Sequence, residues 1–338
     1  MRHSISFSDR SAGALYGMFI GDALAMPVHW YYDTQALIGD YGQVKDYQKP
    51  RNPHPDSILW RSSYTPPSRD ADILHDQAHY WGQKGIHYHQ FLHAGENTLN
   101  VKLAGEVLEL LRNEKSYNAE AWLDRLIAFM TTPGTHNDTY VEEYLRHFFT
   151  NYGNGIDPLQ CGRIDEKHIG GLTQMLPVAI GLADSIDEAQ TTALQHLALT
   201  HGGSVMEQGG TLVASIILDV LHGTPLTTAI LNNCSKSTYD FARHPFESLL
   251  HYPDQVVVGR HFSSACYMDH ALPAILYLAV KYADDPEAGL IANTMCGGDN
   301  AGRGAVLGAL LGAENGIQGW PQRWLNGLLQ PPSIEQLQ

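Results

Sequence analysis

The sequence predicts an all-α protein, on three observations. Apolar residues recur at helical spacing in one segment after another. No run of alternating apolar and polar residues lasts long enough to make a strand. Pro27 and Gly223 stand where two of the periodic segments stop, as helix-ending residues do. With 338 residues, 43% apolar and 17% charged, the chain has the composition of a soluble globular protein with a substantial core. We read residues 1–338 as one compact domain.

The elements follow in order. "SAGALYGMFIGDALAMPV" (11–28) is a helix with small residues through its middle. "NTLNVKLAGEVLELLR" (97–112) carries Leu99, Leu103, Val107 and Leu110 on one stripe, with Asn97 or Thr98 as N-cap. "AEAWLDRLIAFM", "TYVEEYLRHFF", "GGLTQMLPVAIGLAD" and "IDEAQTTALQHLALT" are further helices, as are "SVMEQGGTLVASIILDVLHG" and "YMDHALPAILYLAVKYA". A helix of Gly, Ala, Leu and Val follows Asp299. Residues 29–95 break the rhythm. This stretch is rich in aromatics, His and Pro, too aromatic for a disordered linker, and is expected to be an ordered excursion packed on the helices. The tail 328–338 is expected to fray.

The formal charge of −15 argues against nucleic-acid or anionic-membrane partners. The first ten residues lack an apolar signal core and the most apolar run is too short to span a bilayer, so a cytoplasmic protein is expected. Its four isolated cysteines are expected to be free thiols.

Four places set a polar residue beside Gly at the end of an apolar helix: Asp22, Glu96 with Asn97, His201, and Asp299 with Asn300. Taken singly, each is a helix cap or a hydrogen-bonded group. If they converge, they line one polar cleft, since helix N-termini favour carboxylates and phosphates. His136 and Asp138, with Asn137, are either the cap of the next helix or a His–Asp pair for proton transfer in that cleft. His75/His79 and His89/His93 have the i,i+4 spacing of zinc ligands, although with 18 histidines such pairs arise by chance. Together with Trp30, Tyr31, Trp81 and Tyr88 they are expected to form an aromatic wall suited to a flat ring.

Collinear segments carry a resemblance. "GALYGMFIGDALAMPVHW", "AGENTLNVKLAGEVLELL", "ALTHGG" and "NTMCGGDNAGRGAVLGALLGA" are similar, in that order, to the motifs of the ADP-ribosylglycohydrolase family, which includes the J crystallins of jellyfish. The resemblance implies a compact orthogonal helical bundle. In active members a Thr-Asp-Asp triplet and a closing Asp-x-Asp-Thr hold two Mg²⁺ that activate the water cleaving an ADP-ribose linkage. This chain departs from both motifs, with Gly95-Glu96-Asn97 in the first and Asp299-Asn300-Ala301-Gly302 in the second. Ala301 has no oxygen where the bridging carboxylate would be, so Glu96, Asn97 and Asp299 are expected to hold one Mg²⁺ or none. Arg303 either supplies positive charge for a phosphate or carboxylate or pairs with Asp299 or Glu96.

The function implied is a hydrolase acting on a glycosidic bond of ADP-ribose or a related ribosyl nucleotide. Glu96 and Asp299 would be its catalytic carboxylates, and Asp22, Asn97, His136, Asp138, His201, Asn300 and Arg303 its substrate contacts. The alternative is a catalytically silent, crystallin-like or nucleotide-binding member, and a zinc hydrolase using the histidine pairs is a third reading.

Overall fold

A computed structural model of the chain describes residues 5–114, 116–237, 239 and 243–334. Its α-helices are α1 (Phe7–Ala25), α2 (Thr34–Tyr41), α3 (Leu99–Glu114), α4 (Ala119–Thr131), α5 (Glu143–Gly153), α6 (Gly170–Gly181), α7 (Ile186–Ala198) and α8 (Ser204–Leu221). They continue with α9 (Leu226–Lys236), α10 (Phe246–Leu249), α11 (Asp254–Val257), α12 (Met268–Lys281), α13 (Pro286–Met295), α14 (Asn300–Asn315) and α15 (Gln322–Gly327). Strand-like pairing among the described residues is limited to isolated bridges at Arg163–His201, His168–Tyr267 and Val258–Phe262. The all-α expectation holds.

The spine is an antiparallel pair, α1 on α14, joined backbone to backbone. Gly13, Gly17 and Gly21 face Gly312, Gly308 and Gly304. A Cβ on Gly17 would lie 2.0 Å from the Gly308 carbonyl oxygen, so only glycine permits this approach. The pairing sets the end of α1, with Asp22, beside the start of α14, with Asp299.

Boundaries differ from expectation for identifiable reasons. α1 begins four residues earlier, because Ser6 caps it by accepting the Asp9 N–H at 3.1 Å. α5 begins at Glu143, because the Thr139 and Tyr140 amides donate to the Tyr88 carbonyl. Neither Asn137 nor Asp138 therefore caps that helix. The 29–95 excursion contains α2 and several 3₁₀ turns, and its Trp30, Leu59 and Tyr88 form a small core with Tyr140. His75 and His79 fall in a 3₁₀ turn, His75–Tyr80, where four residues do not return to the same face. His89 is buried while the His93 side chain is 59% exposed. Neither histidine pair makes a chelate.

The described part of the tail is packed: Leu328 is buried, the Leu329 N–H donates to Gly95 at 3.0 Å, and Ser333 donates to Glu109 at 2.6 Å. Residues 335–338 lie outside the described residues. Phe7–Val28 and Ser204–Leu221 are long and apolar enough to cross a membrane, but most of both is buried inside the molecule. All four cysteines are free thiols.

Candidate active site

The double glycine before α14 builds the floor of the site. Gly297 and Gly298 both have positive φ, +65° and +62°, in the left-handed region. A Cβ on them would lie 2.2 Å from the Tyr31 carbonyl oxygen and 2.1 Å from that of Ser264. The turn is threaded between those two segments, and the Asp299 N–H donates to Ser264 at 2.9 Å. Asp299 caps α14 through the Gly302 N–H at 3.2 Å. Arg303 locks the turn from beneath, donating to Asn293 Oδ1, the Ser264 carbonyl and the Gly297 carbonyl. Asn300 ties the Val28 carbonyl to that of Thr294. Both side chains are fully buried scaffold, so neither serves as the substrate contact expected of it, and Arg303 hydrogen-bonds to neither Asp299 nor Glu96.

From Asp299 a buried polar chain runs inward. Asp299 Oδ1 lies 2.9 Å from His29 Nε2, His29 Nδ1 lies 2.7 Å from His89 Nε2, and His89 Nδ1 meets Asp138 Oδ1. Each of these three contacts has room for one proton, and the ring tautomers decide which atom carries it. Asp138 Oδ2 accepts the Leu99 N–H at the first residue of α3. Asp22 accepts the Thr98 N–H at 2.8 Å, the Thr98 hydroxyl at 2.6 Å and the Asn97 amide at 2.8 Å. The start of α3 is thus capped from outside by two carboxylates.

Burial alone would raise the Asp299 carboxyl, but the hydrogen bond and charge of His29, helped by His168 and Arg303, bring it down to about 2. Burial lowers His29 to about 4 against the pull of Asp299. Burial raises Asp22 to about 6, opposed by its bonds from Thr98 and Asn97.

Asp299 Oδ2 is shielded from solvent yet has no hydrogen-bond partner. His168 Nε2 lies 3.9 Å from it, and the other nitrogen of that ring lies 3.4 Å from Glu142 Oε2, also without a hydrogen bond. Cys266 completes the group: one donor atom each from His168, Cys266 and Asp299 all fall within 4.8 Å of one another. Glu142, His168 and Cys266 line a cleft of about 480 Å³ with Trp30, Tyr88, Tyr140 and Tyr144 as aromatic walls. Arg61, Arg163 and Lys167 stand among its lining residues. Burial raises Glu142 to about 7, with His168 opposing and Asp299 adding to the rise. Burial would lower His168, but Glu142, Cys266 and Asp299 hold it well above the ordinary imidazole range.

The sequence profile of the ADP-ribosylglycohydrolase family matches residues 3–338, nearly the whole chain. The chain belongs to the ADP-ribosylglycohydrolase family. A solved structure described as an "ADP-ribosylglycohydrolase-related protein complex" is 21% identical, with 98% of this chain and 96% of that one covered and a TM-score of 0.66. That likeness shows the common fold. No curated protein matches the chain.

The two-magnesium centre implied by the family does not fit these residues. The Glu96 carboxylate is taken by Lys102 at 2.6 Å and by the His93 N–H at 2.9 Å. The Asn97 amide is held by Asp22 and the Phe19 carbonyl. Among the described residues, no hydrogen bond or ion pair joins either residue to Asp299, and the donors gathered at Asp299 are nitrogen and sulfur rather than the oxygens Mg²⁺ requires. His201 lies behind Tyr144, ring centroids 4.2 Å apart, and lines a separate cavity of about 400 Å³ with Leu194 and Glu207. His136 stacks on Phe129, and no hydrogen bond joins it to Asp138. Of the expected residues, Asp299 lies buried directly behind the cleft lining, its Oδ2 3.9 Å from His168 Nε2. Asp138 is linked to it through two histidines, and Asp22 and Asn97 close the start of α3. Tyr31 leaves the aromatic wall, its hydroxyl donating to Asp40 at 2.9 Å.

The sequence reading missed His29, Glu142, His168 and Cys266. His168 came close to the signal used for the other four places, standing two residues before Gly170-Gly171 and an apolar helix, with Ile169 between. Cys266 carried none.

Proposed function

We propose that this protein is a hydrolase that cleaves a glycosidic bond of ADP-ribose or a related ribosyl nucleotide in the Trp30–His168 cleft. The observation that carries the reading is a pair of carboxylates on either side of His168, with Glu142 lining an aromatic-walled cleft and Asp299 buried directly behind the ring. Cleavage develops positive charge on the ribose, which the fixed anion of Asp299 stabilises. Glu142 takes the role first given to Glu96, exchanging a proton with the water or the leaving group. Trp30, Tyr88 and Tyr140 offer faces and edges to a base, and Arg61 and Lys167 offer charge to phosphates.

The test is release of free ADP-ribose, followed by chromatography, from ADP-ribosylated arginine and serine peptides and from a panel of ribosyl nucleotides. Arginine- and serine-linked substrates are expected to react weakly, because the family's metal-ligand set is incomplete. On the best substrate, Glu142→Gln and Asp299→Asn should each lower kcat by roughly 100-fold, about 2.7 kcal/mol of barrier. Thermal stabilisation by ADP-ribose should be the same with and without Mg²⁺. Ligand binding with no turnover on any substrate would instead establish the silent, nucleotide-binding reading.

A further inference from the structure

We propose that His168, Cys266 and Asp299 form a binding site for one borderline-soft divalent cation, with Zn²⁺ the best match, at the floor of the cleft. The three donors come from three segments and converge within 4.8 Å. One of them, Asp299 Oδ2, belongs to a side chain only 1% exposed and has no hydrogen-bond partner, so the fold leaves a buried anionic oxygen aimed at this point. An imidazole, a thiolate and a carboxylate make a mixed N/S/O set that suits Zn²⁺ far better than Mg²⁺. Three protein donors beside an open cleft also leave a fourth position for water or substrate, as open zinc sites do.

The surroundings hold each donor in place. Asp299 Oδ1 is fixed by His29 at 2.9 Å, which turns Oδ2 towards the site. The segments carrying His168 and Cys266 are pinned together, the Ile169 N–H donating to the Cys266 carbonyl and the Met268 N–H to the Lys167 carbonyl, both at 2.8 Å. The Gly170 N–H lies 3.0 Å from His168 Nδ1 and Glu142 Oε2 lies 3.4 Å from it, so the ring's tautomer chooses between them. A cation on Nε2 selects Nδ1–H and therefore Glu142, giving the carboxylate–histidine–metal arrangement that orients such ligands. The ligating forms are the thiolate and an imidazole with Nε2 free, so any proton those two atoms carry leaves to solvent as the cation enters.

The proposal shares the cleft and Asp299 with the hydrolase reading, in which Asp299 acts as a free anion only while the cation is absent; it is tested by metal uptake and not by turnover, so the two fail separately. The full-length protein, stripped with chelator and dialysed against Zn²⁺, should retain one Zn²⁺ per chain by elemental analysis, unaffected by excess Mg²⁺. Loaded with Co²⁺ instead, it should show a thiolate-to-cobalt charge-transfer band that is absent in Cys266→Ser. Cys266→Ala and His168→Ala should each weaken Zn²⁺ binding by about 100-fold, with the helical circular dichroism signal retained, whereas a His75→Ala/His79→Ala double variant should bind as the parent does. Lack of stoichiometric uptake, or uptake undiminished in both Cys266→Ala and His168→Ala, overturns the site. Zinc uptake without turnover leaves the site standing and removes the hydrolase; turnover in metal-free protein whose zinc uptake has failed does the reverse.

Discussion

The starts of α3 and α14 are two helix mouths of similar design, one with two buried carboxylates and the other with one, and they have opposite outcomes. At α3, both oxygens of Asp22 and both of Asp138 are hydrogen-bonded to amides, a hydroxyl or a ring, and Asn97 Oδ1 is the one oxygen left over. At α14, Asp299 has one oxygen bound and one bare, facing His168 and Cys266 beside a cleft. A saturated carboxylate holds a fold together, while a half-saturated one is poised for something the chain does not supply. The difference separates the saturated acids from the half-saturated one where residue type does not.

Substitutions should reveal the same division. The largest effect is expected where the two mouths are held side by side. Gly17→Val places atoms inside the Gly308 carbonyl contact and should prevent folding or lower stability by more than about 3 kcal/mol, read as loss of the cooperative thermal transition. A Gly17→Val protein that melts like the parent would show that the spine does not position the mouths.

Acid probes the closed interior as a whole. Burial holds His54 at about 4 and His196 at about 3, and pushes His87 and His201 well below the ordinary value. The folded state therefore binds fewer protons than the unfolded one between about pH 4 and 6.5, so stability rises with pH across that window and is lost as pH falls through it. A ring moved as far as His54 contributes a loss on the order of 2 kcal/mol at pH 5, and urea midpoints should drop clearly between pH 7.5 and pH 5. A flat profile would mean these rings are not held neutral.

Within the mouths the asymmetry should be direct. Asp22→Ala strands the Thr98 and Asn97 donors in the interior and should cost about 2–4 kcal/mol by chemical denaturation. Glu142→Gln, at a carboxylate whose Oε2 has no hydrogen-bond partner, should change stability by less than about 1 kcal/mol in either direction. Equal losses at both positions would erase the distinction drawn above. The smallest effect is expected at Gly39, in mid-helix α2 with open space around it, where Gly39→Ala should stabilise by about 0.5 kcal/mol.

Much of the helical framework was legible because periodicity is local. The stripe from Leu99 to Leu110 and the small-residue pattern of α1 are visible in any window of a few turns. Asp299 was legible for a related reason: Gly-Gly-Asp before an apolar helix is a local signature of a turn and a cap. Glu96 misled because its neighbour Lys102, six residues on, takes its carboxylate, and a motif position does not reveal such a pairing. His29 and His89 are 60 residues apart and meet at 2.7 Å, a contact with no trace in spacing.

The sequence by itself determined the helices, the glycine seams and the single acid at the head of α14, since each depends on backbone geometry and on residues within a turn or two. Only the tertiary structure decided which carboxylates are saturated and which is bare, and that Glu142, His168 and Cys266 surround the bare one. Hydrogen-bond satisfaction is a property of distant segments brought into contact, and neither composition nor period encodes it.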